Sequence, residues 1–153
     1  MRVSEPMSHP VVSVPTGTPV GQVAREMAER NVGSVMVTED GALRGVVTDR
    51  DLVVRVLAGG LDADERVDSV MTSPVITLGV SDDIHVAYRT FRRAGVRRLP
   101  VLDEEERIVG VLTVDDVLID VFQRFADLLG PVAWSVLEEP PGPPSAGVPP
   151  RGR

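Results

Sequence analysis

The chain has 153 residues, of which 42% are hydrophobic and 25% charged, with no cysteine and a formal net charge of −7. An acidic chain repels phosphate backbones at long range, so nucleic acid is not an expected partner, and without cysteine there is no disulfide framework and no thiol chemistry. The N-terminal MRVSEPMSHP lacks an apolar h-region and no stretch approaches the roughly 20 apolar residues of a membrane helix, so the expected location is the cytoplasm, without membrane attachment.

Aromatic residues are only 3% of the chain, so its core must be built from aliphatic side chains, chiefly Val. The apolar run Val11–Val14 reads as a short strand. A helix follows, with Thr18 as a candidate N-cap, Pro19 at the first helical position and Val20, Val23, Ala24 and Met27 at helical spacing. Asn31 suits a left-handed helix end. Two strands, Ser34–Thr38 and Gly45–Thr48, are joined through a turn containing Gly41, and a second helix starts near Asp49 and stops at Gly59-Gly60.

The same order then recurs. MSHPVVSV at residues 7–14 becomes MTSPVITL at 71–78, an offset of 64 that lengthens to 65 after one inserted residue, so that Gly45-Val-Val-Thr48 lies over Gly110-Val-Leu-Thr113 and Asp51 over Asp116. Val75–Leu78 is the equivalent first strand. Ser81 or Asp82 is the candidate cap, Ile84, Ala87, Tyr88 and Phe91 form the helical stripe, and Gly95 stands where Asn31 stood. The strands Arg98–Leu102 and Gly110–Thr113 flank the acidic run Asp103–Glu106, and the last helix is expected from Val114 to Leu129, ending at Gly130-Pro131. The expected fold is therefore α/β, two β-α-β-β-α repeats (1–64 and 65–130) packed sheet to sheet about a pseudo-two-fold axis, because one such unit buries too little surface alone. Residues 131–139, with Val132, Trp134, Val136 and Leu137, are expected to pack on the module or on a second copy. The tail 140–153 holds six prolines and three glycines and is expected to be disordered.

Two T-x-x-D sequences, Thr48–Asp51 and Thr113–Asp116, fall where a strand ends and a helix begins. There a hydroxyl, free helix N–H groups and the helix dipole can meet a phosphate, and a carboxylate one turn on can accept both hydroxyls of a ribose. The same residues could equally form a capping box that merely closes the first turn. Arg97 and Arg98 lie near the same place, where Arg suits bidentate phosphate contact, whereas Arg89, Arg92 and Arg93 read as a solvated helix face. His9 and His85 are isolated, so no metal site is expected, and no G-x-S-x-G, phosphate-binding P-loop or G-x-G-x-x-G sequence marks an enzyme.

Through Gly45–Asp51, Gly110–Asp116, Asp68-Ser-Val-Met71 and Arg97-Arg-Leu-Pro-Val101, residues 3–130 resemble a tandem cystathionine-β-synthase (CBS) domain pair, or Bateman module. The resemblance implies a non-enzymatic regulatory module that takes AMP, ADP or ATP, and less readily S-adenosylmethionine, between its repeats. It requires no cofactor, signals to an unidentified protein partner and forms a homodimer. Carried over residue by residue, one site would combine Thr113, Asp116 and Arg98 with Ser13 and Val32–Val35, including Ser34. The other would combine Thr48 and Asp51 with Thr77 and Val96–Leu99, with Arg50 as a possible cation. A ligand-free dimerising scaffold is the alternative, and the stripe Val117, Leu118, Val121, Phe122, Phe125, Leu128, Leu129 would serve as core or as the dimer face.

Overall fold

A computed structural model of the chain describes residues 1–8 and 10–138, with side chains up to Val132. His9, Glu139 and the tail expected to be disordered, 140–153, lie outside the described residues. The chain divides into two units, Met1–Val117 and a second from Leu118 onward.

The first unit holds two three-stranded sheets. In the first, β1 (Ser13–Pro15) runs parallel to β2 (Ser34–Glu39), which pairs antiparallel with β3 (Ala42–Thr48). In the second, β4 (Leu78–Gly79), β5 (Arg98–Leu102) and β6 (Ile108–Thr113) repeat that order. Helix α1 (Val20–Arg30) connects β1 to β2, and α3 (Ile84–Ala94) connects β4 to β5. After β3, α2 (Asp49–Asp51) passes into π-helical Leu52–Leu57, and after β6 comes α4 (Val114–Glu138). The mixed α/β class and the duplicated element order are those read from the sequence. Even the strand irregularities repeat, with register shifts at Val37/Thr38 and Val101/Leu102, 64 residues apart.

Several local expectations are corrected. The parallel strands begin later than Val11 and Val75, because both of these side chains line cavities instead of extending the ladder. Thr18 does not cap α1. Its hydroxyl donates to Pro15 O at 2.6 Å, Pro19 takes the N-cap position, and the first helical N–H groups of Val20 and Gly21 donate to the carbonyls of Glu65 and Ala63 at 2.8 and 2.9 Å. Neither Ser81 nor Asp82 caps α3. Asp83 does so, accepting from the His85 N–H, while Ile84 N–H donates to Met1 O. Both helices do close left-handed where expected, at Asn31 (φ 53°) and Gly95 (φ 65°).

The last helix does not stop at Gly130-Pro131. Gly130 is not left-handed, so no terminal turn forms there, and α4 continues to Glu138 with Pro131 inside it. A proline there removes one i to i−4 hydrogen bond. By contrast, Gly60 is left-handed (φ 70°), and the π-helical segment does end before Gly59-Gly60.

These contacts reveal an exchange between the repeats. Val67, Val70 and Met71, which lead into the second repeat, pack in the core of the first sheet beside Val23, Val35 and Val47. Val3, Met1 and Met7, which lead into the first repeat, pack in the core of the second beside Ile84, Leu99 and Leu112. The segment before the second repeat also supplies the Glu65 and Ala63 carbonyls that accept from α1, and Met1 supplies one carbonyl that accepts from α3. Burying side chains such as Leu99, Leu112 and Met36 contributes about 1.5–3 kcal/mol each.

In the second unit α4 carries the exposed apolar residues Leu118, Ile119, Val121, Phe122, Phe125, Leu128, Leu129 and Val132, with Phe122 67% and Leu128 72% accessible. Of the stripe named from sequence only Val117, in the first unit, is core. Among the described residues no helix is long and apolar enough to cross a membrane.

Candidate functional site

Both strand-to-helix junctions form complete capping boxes. Thr48 N–H donates to Asp51 Oδ2 at 2.9 Å, and Asp51 N–H returns to Thr48 Oγ1 at 3.2 Å. Thr113 N–H donates to Asp116 Oδ2 at 2.9 Å, its hydroxyl reaches the same oxygen at 2.7 Å, and Asp116 N–H donates to Thr113 Oγ1 at 3.0 Å. The boxes occupy one carboxylate oxygen of each Asp and leave the other outside the turn. Asp51 Oδ1 lies 3.7 Å from Arg55 Nε, and Asp116 Oδ1 accepts from the Ser8 hydroxyl at 3.0 Å. The capping reading and the ligand reading are thus compatible, because the turn consumes only half of each carboxylate.

The second junction opens on a cleft of about 210 Å³ between the two repeats. Val111 and Thr113 line it from the second repeat, and Val32, Gly33, Ser34 and Met36 from the first. Ser8, Pro10, Val11 and Val12 complete the wall. One face is aliphatic, while Thr113, Ser34 and Ser8 supply hydroxyls. Sequence and structure therefore agree in bringing Thr113, Val32 and Ser34 together, with Asp116 joined through Ser8.

Ser13 is exposed and pairs with Met36 in the sheet, and Val11 and Val12 take the wall position expected for it. Thr77 lines a different cavity, of about 370 Å³, with Arg44, Val75, Leu102 and Glu106 among its neighbours. Val96 is exposed, and Arg50 is an exposed residue whose N–H donates to Asp49 Oδ1. Arg97 lies 3.4 Å from Asp115. Arg98 pairs across the ladder with Thr113, as Ser34 pairs with Thr48, and its guanidinium reaches Gly33 of the first repeat. Ser8 was not anticipated, whereas Gly33 lies within the expected Val32–Val35 segment. The signal for Ser8 was its place in the repeated MSHP/MTSP leader.

This duplicated fold with paired junctions defines a class, and the chain belongs to the CBS domain family, whose model matches residues 2–58 and 67–122. It is similar to the CBS domain protein PAE2072 from Pyrobaculum aerophilum, solved in complex with AMP. That likeness has 34% identity and a TM-score of 0.70, over 76% of this chain and 89% of that one. Hypoxic Response Protein I, solved with two coordinated zinc ions, is 27% identical with a TM-score of 0.69, over 77% of this chain and 97% of that one. Protein MK0525 of Methanopyrus kandleri is 34% identical over 110 residues, 71% of this chain, and the match spans 56% of that relative's length. No group of three or more His, Asp or Glu side chains that could hold a metal occurs among the described residues.

Proposed function

We propose that the chain is a non-enzymatic regulatory module that binds an adenine nucleotide, AMP, ADP or ATP, in the cleft between repeats 1–64 and 65–130. The observation that carries the reading is the convergence of Thr113 and the Asp116–Ser8 pair with the Val32–Ser34 strand edge of the other repeat. The AMP bound by the P. aerophilum relative supports it. Adenine lies against Val11, Val32 and Val111. The ribose hydroxyls replace Ser8 at Asp116 Oδ1. The phosphate meets the Thr113 hydroxyl, the start of α4 and Arg98. At 210 Å³ the cleft is below the usual 300–1,000 Å³ of ligand pockets, so the phosphate end projects toward solvent at its rim.

Thr48, Asp51 and the Val96–Leu99 edge form a second, weaker site. The output passes to a protein effector in the cytoplasm, from a homodimer made through the apolar face of α4. That same face also favours a second reading, a scaffold that dimerises without ligand.

A ligand of about 23 heavy atoms at roughly 0.3 kcal/mol per atom binds with a Kd on the order of 10 μM. At about 100 times that concentration it adds roughly 2.7 kcal/mol to stability, which raises Tm by about 5–10 °C. Thermal shift with AMP, ADP, ATP, S-adenosylmethionine and NADH tests this. The adenine nucleotides should give the largest shifts, and Asp51→Ala combined with Asp116→Ala should abolish them. Flat curves with every compound would leave the scaffold reading.

A further inference from the structure

The two repeats differ most sharply at the residues that face each other across the cleft. A side chain added at Gly33 would place its Cβ 2.7 Å from Arg98 Nη2 and 3.1 Å from Asp49 Oδ2, so the guanidinium occupies the space a Cβ would need. The backbone of Gly33 is not left-handed, so what glycine provides there is room for the guanidinium and not conformation. Moving 64 residues along, the equivalent of the Gly33–Arg98 contact is Arg97 with Ser34, a long side chain where the first repeat has none and a short one where the second has arginine.

The fates of the two arginines differ accordingly. Arg97 is exposed and turned to Asp115 at 3.4 Å. Arg98 is half-buried, and among the described residues no hydrogen bond or ion pair holds its guanidinium. Asp49 Oδ2 flanks the same Gly33 surface but forms no ion pair with this guanidinium, so the guanidinium can still offer an anion two parallel N–H bonds at the edge of the cleft.

We infer that Gly33 is a specificity-determining residue: by lacking a side chain it admits Arg98 to the mouth of the Thr113 cleft and makes that cleft selective for phosphorylated over neutral adenosine ligands. At the other junction the equivalents are Arg97, turned to Asp115, and Ser34, so that junction has no matching glycine–arginine contact. The inference deepens the nucleotide reading and rests on it for the identity of the ligand, but the anion contact itself is independent of adenine.

The test compares the full chain with Gly33→Ala and Arg98→Met. Calorimetric titrations use AMP and adenosine, and amide and guanidinium NMR shifts are followed with pyrophosphate. The wild-type protein should prefer AMP over adenosine by about tenfold or more. Both variants should reduce that preference to about threefold or less while adenosine affinity stays within about twofold. Since Arg98 is the flexible partner and swings away from a new methyl group, Gly33→Ala is expected to fold, and Arg98→Met reports on the same contact without touching Gly33. If Gly33→Ala keeps the AMP preference, or weakens adenosine as much as AMP, the inference is wrong and Gly33 merely shapes the wall. If neither nucleoside binds the wild-type chain, the nucleotide reading fails by itself. Pyrophosphate shifts at Gly33, Arg98 and Thr113 that disappear in both variants would then still uphold the anion contact, and their absence in the wild-type chain would overturn it.

Discussion

The two repeats share a backbone and differ in how it is finished. Each hairpin carries the same register shift, and each first helix closes left-handed and donates its first N–H to a carbonyl of the segment leading into the other repeat. The finishing diverges at three places. The first hairpin turns through two residues, Asp40 (φ 51°) and Gly41 (φ 81°), while the second uses the five-residue loop Asp103–Arg107 organised by one carboxylate. The first terminal helix is a short π-helical segment stopped at Gly59-Gly60, and the second runs 25 residues through a proline. Across the cleft, Gly33 faces Arg98 where Ser34 and Arg97 are the equivalents. Duplication fixes the junction geometry, and substitution at a few positions makes the surroundings of the two junctions different.

Shared geometry implies matched constraints, and the largest expected effect tests one of them. Gly45 and Gly110 occupy equivalent positions, each covered by the methionine of a leader. A Cβ on Gly45 would meet Met71 Sδ, Cγ and Cβ, and one on Gly110 would meet Met7 Sδ and Cγ and the Ser8 carbonyl. Replacing either glycine by valine should cost about 1–3 kcal/mol by overpacking, lowering Tm by roughly 2–10 °C. Met71→Ala should recover part of the loss in Gly45→Val, a coupling a double-mutant cycle reads directly. Equal losses with and without Met71 would show that the leader is not what the glycine accommodates.

A smaller effect separates the two hairpins. The N–H groups of Arg107 and Glu105 donate to Asp103 Oδ1, and the Arg107 guanidinium lies 2.8 Å from Oδ2. The backbone hydrogen bond from Arg107 is the main reason the Asp103 carboxyl titrates below the ordinary aspartate range. A lowered folded-state pKa means the contribution is present above the unfolded value of about 3.9 and is lost as pH falls through the lower folded value. The Arg107 amide shift should therefore move with a midpoint below that of a free aspartate, while the Asp40-Gly41 turn, set by backbone angles, should not follow it. A midpoint at the ordinary value, or one unchanged in Asp103→Asn, would contradict this.

Much of this was legible in the sequence because it depends on periodicity and backbone chemistry. The 64-residue offset, the junctions at Thr48 and Thr113 and the left-handed ends at Asn31 and Gly95 all follow from local residue type. What was not legible depends on partners distant in sequence. Thr18 looks like a cap by type, but no local rule reveals that carbonyls at Ala63 and Glu65 have already satisfied the helix. Pro131 reads as a stop, yet a helix ends only where the preceding residue turns away, and Gly130 does not. Thr77 aligns with Ser13, but Ser13 does not line the Thr113 cleft, and the cavity that Thr77 lines does not include Thr48 or Asp51. The candidate residues that the structure brings together, Thr113, Val32 and Ser34, are those whose own backbone builds the junction or faces it. The one missed, Ser8, matters through what it faces, the Asp116 carboxylate.

The most direct test is calorimetric titration of AMP into the wild-type chain, Asp116→Ala and Asp51→Ala. Saturable binding with a Kd on the order of 10 μM, weakened about tenfold or more by Asp116→Ala and much less by Asp51→Ala, is the predicted result. No heat with the wild-type chain, or Asp116→Ala binding as tightly as wild type, would contradict a nucleotide site at the Thr113 junction.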